Sequence, residues 1–189
     1  FVVNIDAQGK MNTDSEGNPG MEGYEDLFRH FFNLPPGPNA PNIPSIPMPN
    51  RPLRPPVASG SGFIFDKQGH IITNNHVVQD ADKITVRIVN GREYEATVVG
   101  TDPDTDVAVL KIEPVGDLPI APLGDSDTLK VGQFAIAAGS PRGLEGSVSF
   151  GHISALGRNE LDLPGLRFQN FIQTDAAINL GNSGGPLCN

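Results

Sequence analysis

At 189 residues and 20.0 kDa, the chain has room for one ordinary domain, or two small ones sharing a cleft. A hydrophobic content of 38% is enough for a core and excludes wholesale disorder, and a formal charge of −9 argues against nucleic acid, which calls for a basic surface. No apolar run approaches the roughly 18–20 residues that cross a bilayer, and a single cysteine, Cys188, excludes an intramolecular disulfide framework.

No Met opens the chain. Phe1-Val2-Val3-Asn4-Ile5 reads as the middle of a strand, so a processed or trimmed start is expected. Residues 8–57 then read as one long excursion. Within it, Tyr24, Leu27, Phe28 and Phe31 share one helical face, and Pro35-Pro36 stops the pattern. Ten of the 18 prolines fall in residues 35–56, which excludes a helix or central strand and predicts an extended, partly polyproline tether.

After residue 57 the pattern changes to short β segments separated by turns. Residues 62–65 and 70–73 flank Asp66-Lys67-Gln68-Gly69 and predict a hairpin. Residues 83–89 alternate strictly and lead into Asn90-Gly91, the residues of a type I′ turn. Further strands are expected over residues 94–99, 107–112, 133–138, 148–153 and 168–174. No segment there sustains helical periodicity, so the fold class is all-β, a sandwich or barrel.

The chemistry gathers in Gly181-Asn182-Ser183-Gly184-Gly185-Pro186. Glycines around a serine let backbone approach a ligand and leave N–H groups able to face an anion, although a plain tight turn has the same composition. The string also matches the G-x-S-x-G elbow, in which an acid and a His must follow the Ser. Only six residues follow Ser183, none of them His or acidic, so that order fails within this chain. An Asp–His–Ser order could use Asp66 but belongs to a fold with alternating helices. The His–Asp–Ser order survives and suits an all-β chain.

Four histidines compete for the base. His30 lies in the aromatic excursion, His70 beside a hairpin turn and His152 inside a strand, and each reads more simply as a solvated or packing residue. His76 closes Ile71-Ile72-Thr73-Asn74-Asn75-His76, an apolar strand opening into a polar corner. For the acid, Asp106 directly precedes the buried run Val107-Ala108-Val109-Leu110, where a carboxylate can hold an imidazole in one tautomer. Asp102 and Asp104 read as turn residues. With no CxxC and no closely spaced ligand pair, neither a metal nor any other cofactor is expected.

Three ordered motifs, Thr73-Asn74-Asn75-His76-Val77-Val78, Asp106-Val107-Ala108-Val109-Leu110 and Phe171-Ile172-Gln173-Thr174-Asp175-Ala176-Ala177-Ile178-Asn179 running into Gly181-Asn182-Ser183-Gly184-Gly185, together resemble the HtrA/Deg serine proteases. Gly60-Ser61-Gly62-Phe63-Ile64, Gly139-Ser140-Pro141 and Ser154-Ala155-Leu156-Gly157-Arg158 add to the resemblance, which covers nearly everything outside residues 8–57. It implies a chymotrypsin-like double β-barrel with the second barrel incomplete in this chain, and PDZ domains in the full protein.

By position, the resemblance implies His76 as general base, Asp106 as its orienter and Ser183 as nucleophile, with the N–H groups of Gly181 and Ser183 as oxyanion hole. Ala177, Ile178 and Leu180 would line the substrate pocket and favour small or medium aliphatic side chains, while Asp175 is expected to be structural. Asn182 stands where digestive relatives carry an Asp that pairs with a new N-terminus, so that activation device is not expected. The family further implies unfolded polypeptide substrates, protein quality control, a bacterial periplasmic location and a homotrimer, with Phe1 at the threefold axis. Residues 8–57 are expected to be a regulatory insertion whose Tyr24, Leu27, Phe28, Phe31 and Phe32 dock near a neighbouring subunit's active site. The rival readings are a chaperone-like binder of unfolded chains and a purely structural barrel module.

Overall fold

The computed structural model describes residues 1–9, 57–140, 146–159, 167–179 and 181–189. The predicted aromatic helix and the proline-rich tether lie outside them, as do His30 and Leu180.

The first unit is a closed six-stranded barrel built from β1 (Val2–Gly9), β2 (Val57–Ile64), β3 (His70–Asn74), β4 (Ala81–Ile88), β5 (Glu93–Asp102) and β6 (Val107–Lys111). Strand order around it is β1-β2-β3-β6-β5-β4, with β4 pairing back onto β1 from Val3↔Ile88 to Gly9↔Ala81. Because strand side chains alternate, one face of each strand fills the interior. Val3, Ile5 and Ala7 of β1 point inward and meet Ile64, Ile71, Val86 and Leu110, all buried. Gln8 pairs with Val57, so the excursion leaves and returns at one place on the barrel wall.

The second unit is a four-stranded antiparallel sheet, in the order β10-β7-β8-β9, of β7 (Phe134–Gly139), β8 (Ser147–Arg158), β9 (Phe171–Thr174) and β10 (Leu187–Cys188). Ala135, Ala137 and Ile153 are buried on one face, whereas Phe134, Val148 and Phe150 stand exposed on the other. Phe134 packs on Phe150 and His152 at centroid distances of 5.1 and 5.3 Å. The expected all-β double-barrel class is what forms: one closed barrel and a second partial one.

Three local expectations change. The Asn90-Gly91 turn is not type I′, because only Gly91 has positive φ, at 81°. The Gly91 N–H instead closes onto the Ile88 carbonyl at 2.9 Å, and Ile88 N–H donates to the Arg92 carbonyl at 3.0 Å, a three-residue loop with glycine in the left-handed position. The strand expected over residues 168–174 occupies only Phe171–Thr174. His76 stands not at the strand end but in a single helical turn, α1 (Asn75–Val78), which begins as β3 stops.

Candidate active site

Register brings the acid to the histidine. β3 and β6 are antiparallel and pair Asn74 with Val107, so the residues just past β3 meet those just before β6. The Asp106 carbonyl accepts the Asn75 N–H at 3.1 Å and the Asn74 side-chain amide at 2.8 Å. Asp106 itself has φ +55°, a left-handed conformation that Asp tolerates better than most residues but that still costs energy. In that conformation its carboxylate meets α1 twice. Oδ1 accepts the His76 backbone N–H at 2.9 Å and Oδ2 faces the His76 ring Nδ1 at 2.6 Å. Both side chains are only 17% exposed, so water competes weakly for these bonds. Two anchors on one carboxylate fix both the ring plane and the tautomer: Nδ1 carries the proton toward Asp106, leaving Nε2 as the basic nitrogen.

The serine turn reaches the same place from the other side. Gly181 and Gly184 have φ of +97° and +83°, conformations closed to most side chains, and the Gly185 N–H closes the turn onto the Asn182 carbonyl at 2.8 Å. A Cβ on Gly184 would collide with the Ser61 carbonyl and Thr73 Oγ1, and would lie 3.1 Å from the Asn74 N–H nitrogen. The turn therefore rests on the very end of β3, two residues from His76. Gly60 lies between the two halves: a Cβ there would stand 2.7 Å from a Val77 methyl and 3.3 Å from the Ser183 carbonyl. Ser61 ties the halves together, its N–H donating to the Ser183 carbonyl at 2.8 Å and its hydroxyl to the Gly181 carbonyl at 2.5 Å. Asn182 packs against Gly139, where no side chain would fit.

The remaining histidines have other partners. His70 Nδ1 lies 2.6 Å from Asp66 Oδ2 and its ring stacks on Phe65 at 5.9 Å. Burial pushes the Asp66 carboxyl up, but the His70 N–H and imidazole together outweigh it and hold it below the usual range. His152 is half exposed in β8, and its N–H donates to Asp175 Oδ1 at 2.6 Å, which holds the Asp175 carboxyl below the usual range. Asp175 thus braces β8. Asp102 is the expected turn residue, accepting the Asp104 N–H at 3.0 Å and the Thr105 hydroxyl at 2.8 Å. Ala177 and Ile178 are exposed, with the Ala177 carbonyl held by the Ser149 hydroxyl at 2.6 Å. Cys188 is half-buried, and desolvation pushes its thiol up, which suits a small apolar residue more than a reactive one.

Sequence reasoning did not single out Ser61 or Thr73 as site residues. The available signal was a serine between two glycines in an otherwise apolar strand, which marks a close backbone approach.

A histidine bracketed by a carboxylate, with a glycine-framed serine packed on the strand that leads into it, is an arrangement that serine peptidases use. Residues 60–189 match the family model for the trypsin-like peptidase domain. The chain belongs to that family. It is 47% identical over 195 aligned positions to a probable periplasmic serine endoprotease DegP-like of Pseudomonas fulva (strain 12-X), covering all of this chain and 39% of that protein. The corresponding protein of Pseudomonas putida (strain GB-1) is 48% identical over 193 positions, again with the whole chain and 38% of the relative covered. The chain therefore spans about two fifths of the length of the curated relatives it matches. Among solved structures, a variant of the HtrA-type protease AlgW with a decapeptide superposes with a TM-score of 0.73 at 40% identity, over 98% of this chain and 50% of that one. AlgW with a tripeptide gives 0.65 at 49% identity, over 69% and 42% of the two chains. Among the described residues, no helix is long and apolar enough to cross a membrane.

Proposed function

We propose that this trypsin-like domain is the catalytic part of a serine endopeptidase that cleaves unfolded polypeptides in the bacterial periplasm. The observation that carries the reading is the two-point grip of Asp106 on His76 beside the Ser183 turn. Ser183 Oγ attacks the scissile carbonyl as His76 Nε2 takes its proton, and Asp106 stabilises the resulting imidazolium without taking the proton itself. The tetrahedral oxyanion is stabilised by the N–H groups of Gly181 and Ser183, worth about 2.7–4 kcal/mol for each donor. His76 then passes its proton to the leaving amine, and water hydrolyses the acyl-serine by the same route.

Ala177, Ile178 and Leu180 are assigned to the primary pocket, whose apolar character favours an aliphatic side chain before the scissile bond. Residues 8–57 are assigned as a regulatory insertion that docks its aromatic face on a neighbouring subunit of a homotrimer. Phe1, 39% exposed at the rim of the barrel, is the residue available for the trimer contact. Protein quality control and the presence of PDZ domains in the full protein belong to the same reading, as the resemblance to the HtrA/Deg proteases implies.

The test is labelling of the full-length protein with a fluorescent fluorophosphonate, followed by peptide mapping. Covalent label on Ser183, lost in Ser183→Ala together with cleavage of a denatured client, supports the endopeptidase. A Ser183→Ala variant that still suppresses client aggregation adds a binding activity to it. Absence of label with undiminished suppression would leave the chaperone-like binder.

A further inference from the structure

We propose that Ser61 is a positioning residue of the peptidase: its buried hydroxyl pins the turn that carries the oxyanion donors. The proposal rests on the assignment of Gly181 and Ser183 as those donors.

Ser61 is fully buried in β2, and every polar group it carries is engaged, its hydroxyl and N–H across the junction between the barrel and the second sheet and its carbonyl within the barrel. Its hydroxyl donates to the Gly181 carbonyl at 2.5 Å and accepts the Ser140 N–H at 2.8 Å. Its N–H donates to the Ser183 carbonyl at 2.8 Å, and its carbonyl accepts the Thr73 hydroxyl at 2.7 Å. Within the turn, the carbonyls of residues 181 and 183 are thus tied to one residue of the other unit, and the Ser183 N–H lies between them. The peptide joining Gly181 to Asn182 is held at its other end as well, since the Asn182 N–H donates to the Asn179 carbonyl at 3.1 Å.

Such a pin is needed because the turn cannot hold itself. Gly181, at φ +97°, has no Cβ to restrict its backbone, so rotation about it is opposed mainly by these bonds. Oxyanion stabilisation depends on donors aimed in advance, since a donor that must be reoriented during the reaction loses its advantage. The Ser61 backbone N–H bond would survive any side-chain change at that position. The hydroxyl bond to Gly181 would not, and Ser61→Ala also leaves the Gly181 carbonyl and the Ser140 N–H without that partner in a buried place.

The experiment uses full-length protein, a peptide p-nitroanilide with Val before the scissile bond, and the matching peptide boronic acid, whose tetrahedral adduct on Ser183 mimics the oxyanion. For Ser61→Ala we expect kcat to fall roughly 10- to 100-fold, less than the 10²–10³ of losing a donor outright, with KM changed by less than about threefold. Boronate affinity should fall by the same factor as kcat/KM, because both report the tetrahedral state. Val86→Ala, a cavity variant of the barrel core remote from the turn, supplies a comparable loss of thermal stability and should leave kcat unchanged. Should Ser61→Ala not fold, Ser61→Cys keeps the shape with a weaker donor and should show the same pattern at smaller amplitude.

Activity and boronate affinity of the Ser61 variant within about twofold of wild type would overturn the proposal while leaving the nucleophile intact. So would a fall in kcat that leaves boronate affinity untouched, or one that Val86→Ala reproduces. Failure of the underlying peptidase reading looks different: the wild-type protein itself would then take up no fluorophosphonate at Ser183.

Discussion

Two histidines six residues apart are held by carboxylates in nearly the same way. In each, one carboxylate oxygen accepts the histidine's own backbone N–H, at 2.9 Å for Asp106 and His76 and 3.0 Å for Asp66 and His70. The other oxygen faces ring Nδ1 at 2.6 Å in both. The pairs differ in how they are made. Asp66 lies four residues before His70, across a turn whose Gly69 has φ +90°, so local geometry alone produces the bracket. Asp106 lies 30 residues after His76 and reaches it only because β3 and β6 pair in one register and Asp106 takes a left-handed conformation. What packs nearby differs as well: the His70 ring stacks on Phe65, whereas the Ser183 turn rests on the end of β3, two residues before His76. A carboxylate on Nδ1 is therefore no mark of a base by itself. What sets the His76 bracket apart is the Ser183 turn packed on the strand that leads into it.

The sharpest way to break this comparison is to delete each histidine. His76→Ala should lower kcat on the order of 10⁶-fold, as should Ser183→Ala, because parts that act as a unit lose nearly everything together. His70→Ala should leave kcat/KM within about twofold of wild type, since its ring is spent on Asp66 and Phe65. A comparable collapse for His70→Ala in a steady-state assay of full-length protein would mean that the wrong bracket has been assigned.

Replacing the acids sharpens the same contrast at lower amplitude. Asp106→Asn preserves shape but offers the ring the wrong partner for its tautomer, a loss of about 10⁴ in kcat. Asp66→Asn should leave kcat unchanged. Measured against pH, Asp66→Asn should retain the wild-type activity profile.

How much of this was legible in the sequence follows from the same distinction. The alternation of β4 and the hairpin around Asp66 are local, and they form where the residues placed them. The register that carries Asp106 to His76 is not written in either segment. The pairing became readable only through ordered motifs resembling a known family. The helical turn holding His76 was missed because four residues give no periodicity to detect, and an apolar strand running into Val77-Val78 reads as continuous. The Asn90-Gly91 turn was misjudged because that dipeptide fits two hairpin geometries, and only the closing bonds at Ile88 choose between them. Ser61 went unassigned for a related reason: all its partners but Thr73 lie more than 70 positions away.

Glycines at the junction and away from it offer a test by stability. Gly184→Ala combines left-handed strain with a methyl driven into the Ser61 carbonyl and Thr73, and should cost about 2–4 kcal/mol with a loss of activity. Gly60→Ala, with ordinary φ, should cost about 1–3 kcal/mol by displacing Val77 from the neighbourhood of Ser183. Gly91→Ala has the same kind of φ as Gly184 but open space around it, so about 1 kcal/mol of strain is all that is expected, with unchanged kcat. Denaturant unfolding read alongside kcat separates the three. Equal losses for Gly184→Ala and Gly91→Ala would show that strain, and not the contact between the two halves, dominates at the serine turn.

The smallest effect concerns the local bracket in acid. The Asp66 carboxyl is held below its usual range, because the His70 N–H and imidazole outweigh an opposing contribution from burial. A depressed carboxyl contributes stability that is present above its unfolded value and disappears as pH falls through its folded one. The relevant window is therefore the acid limb, below about pH 4, where the Asp66 carboxylate takes up its proton. Still partly open to water, the pair should contribute little. Thermal unfolding of wild type and Asp66→Asn should differ slightly near neutral pH, with wild type the more stable, and the two curves should converge as the acid limb is descended. A gap that stays constant down that limb would mean that the Asp66 charge contributes nothing and that the bracket is held by the shape of the turn alone.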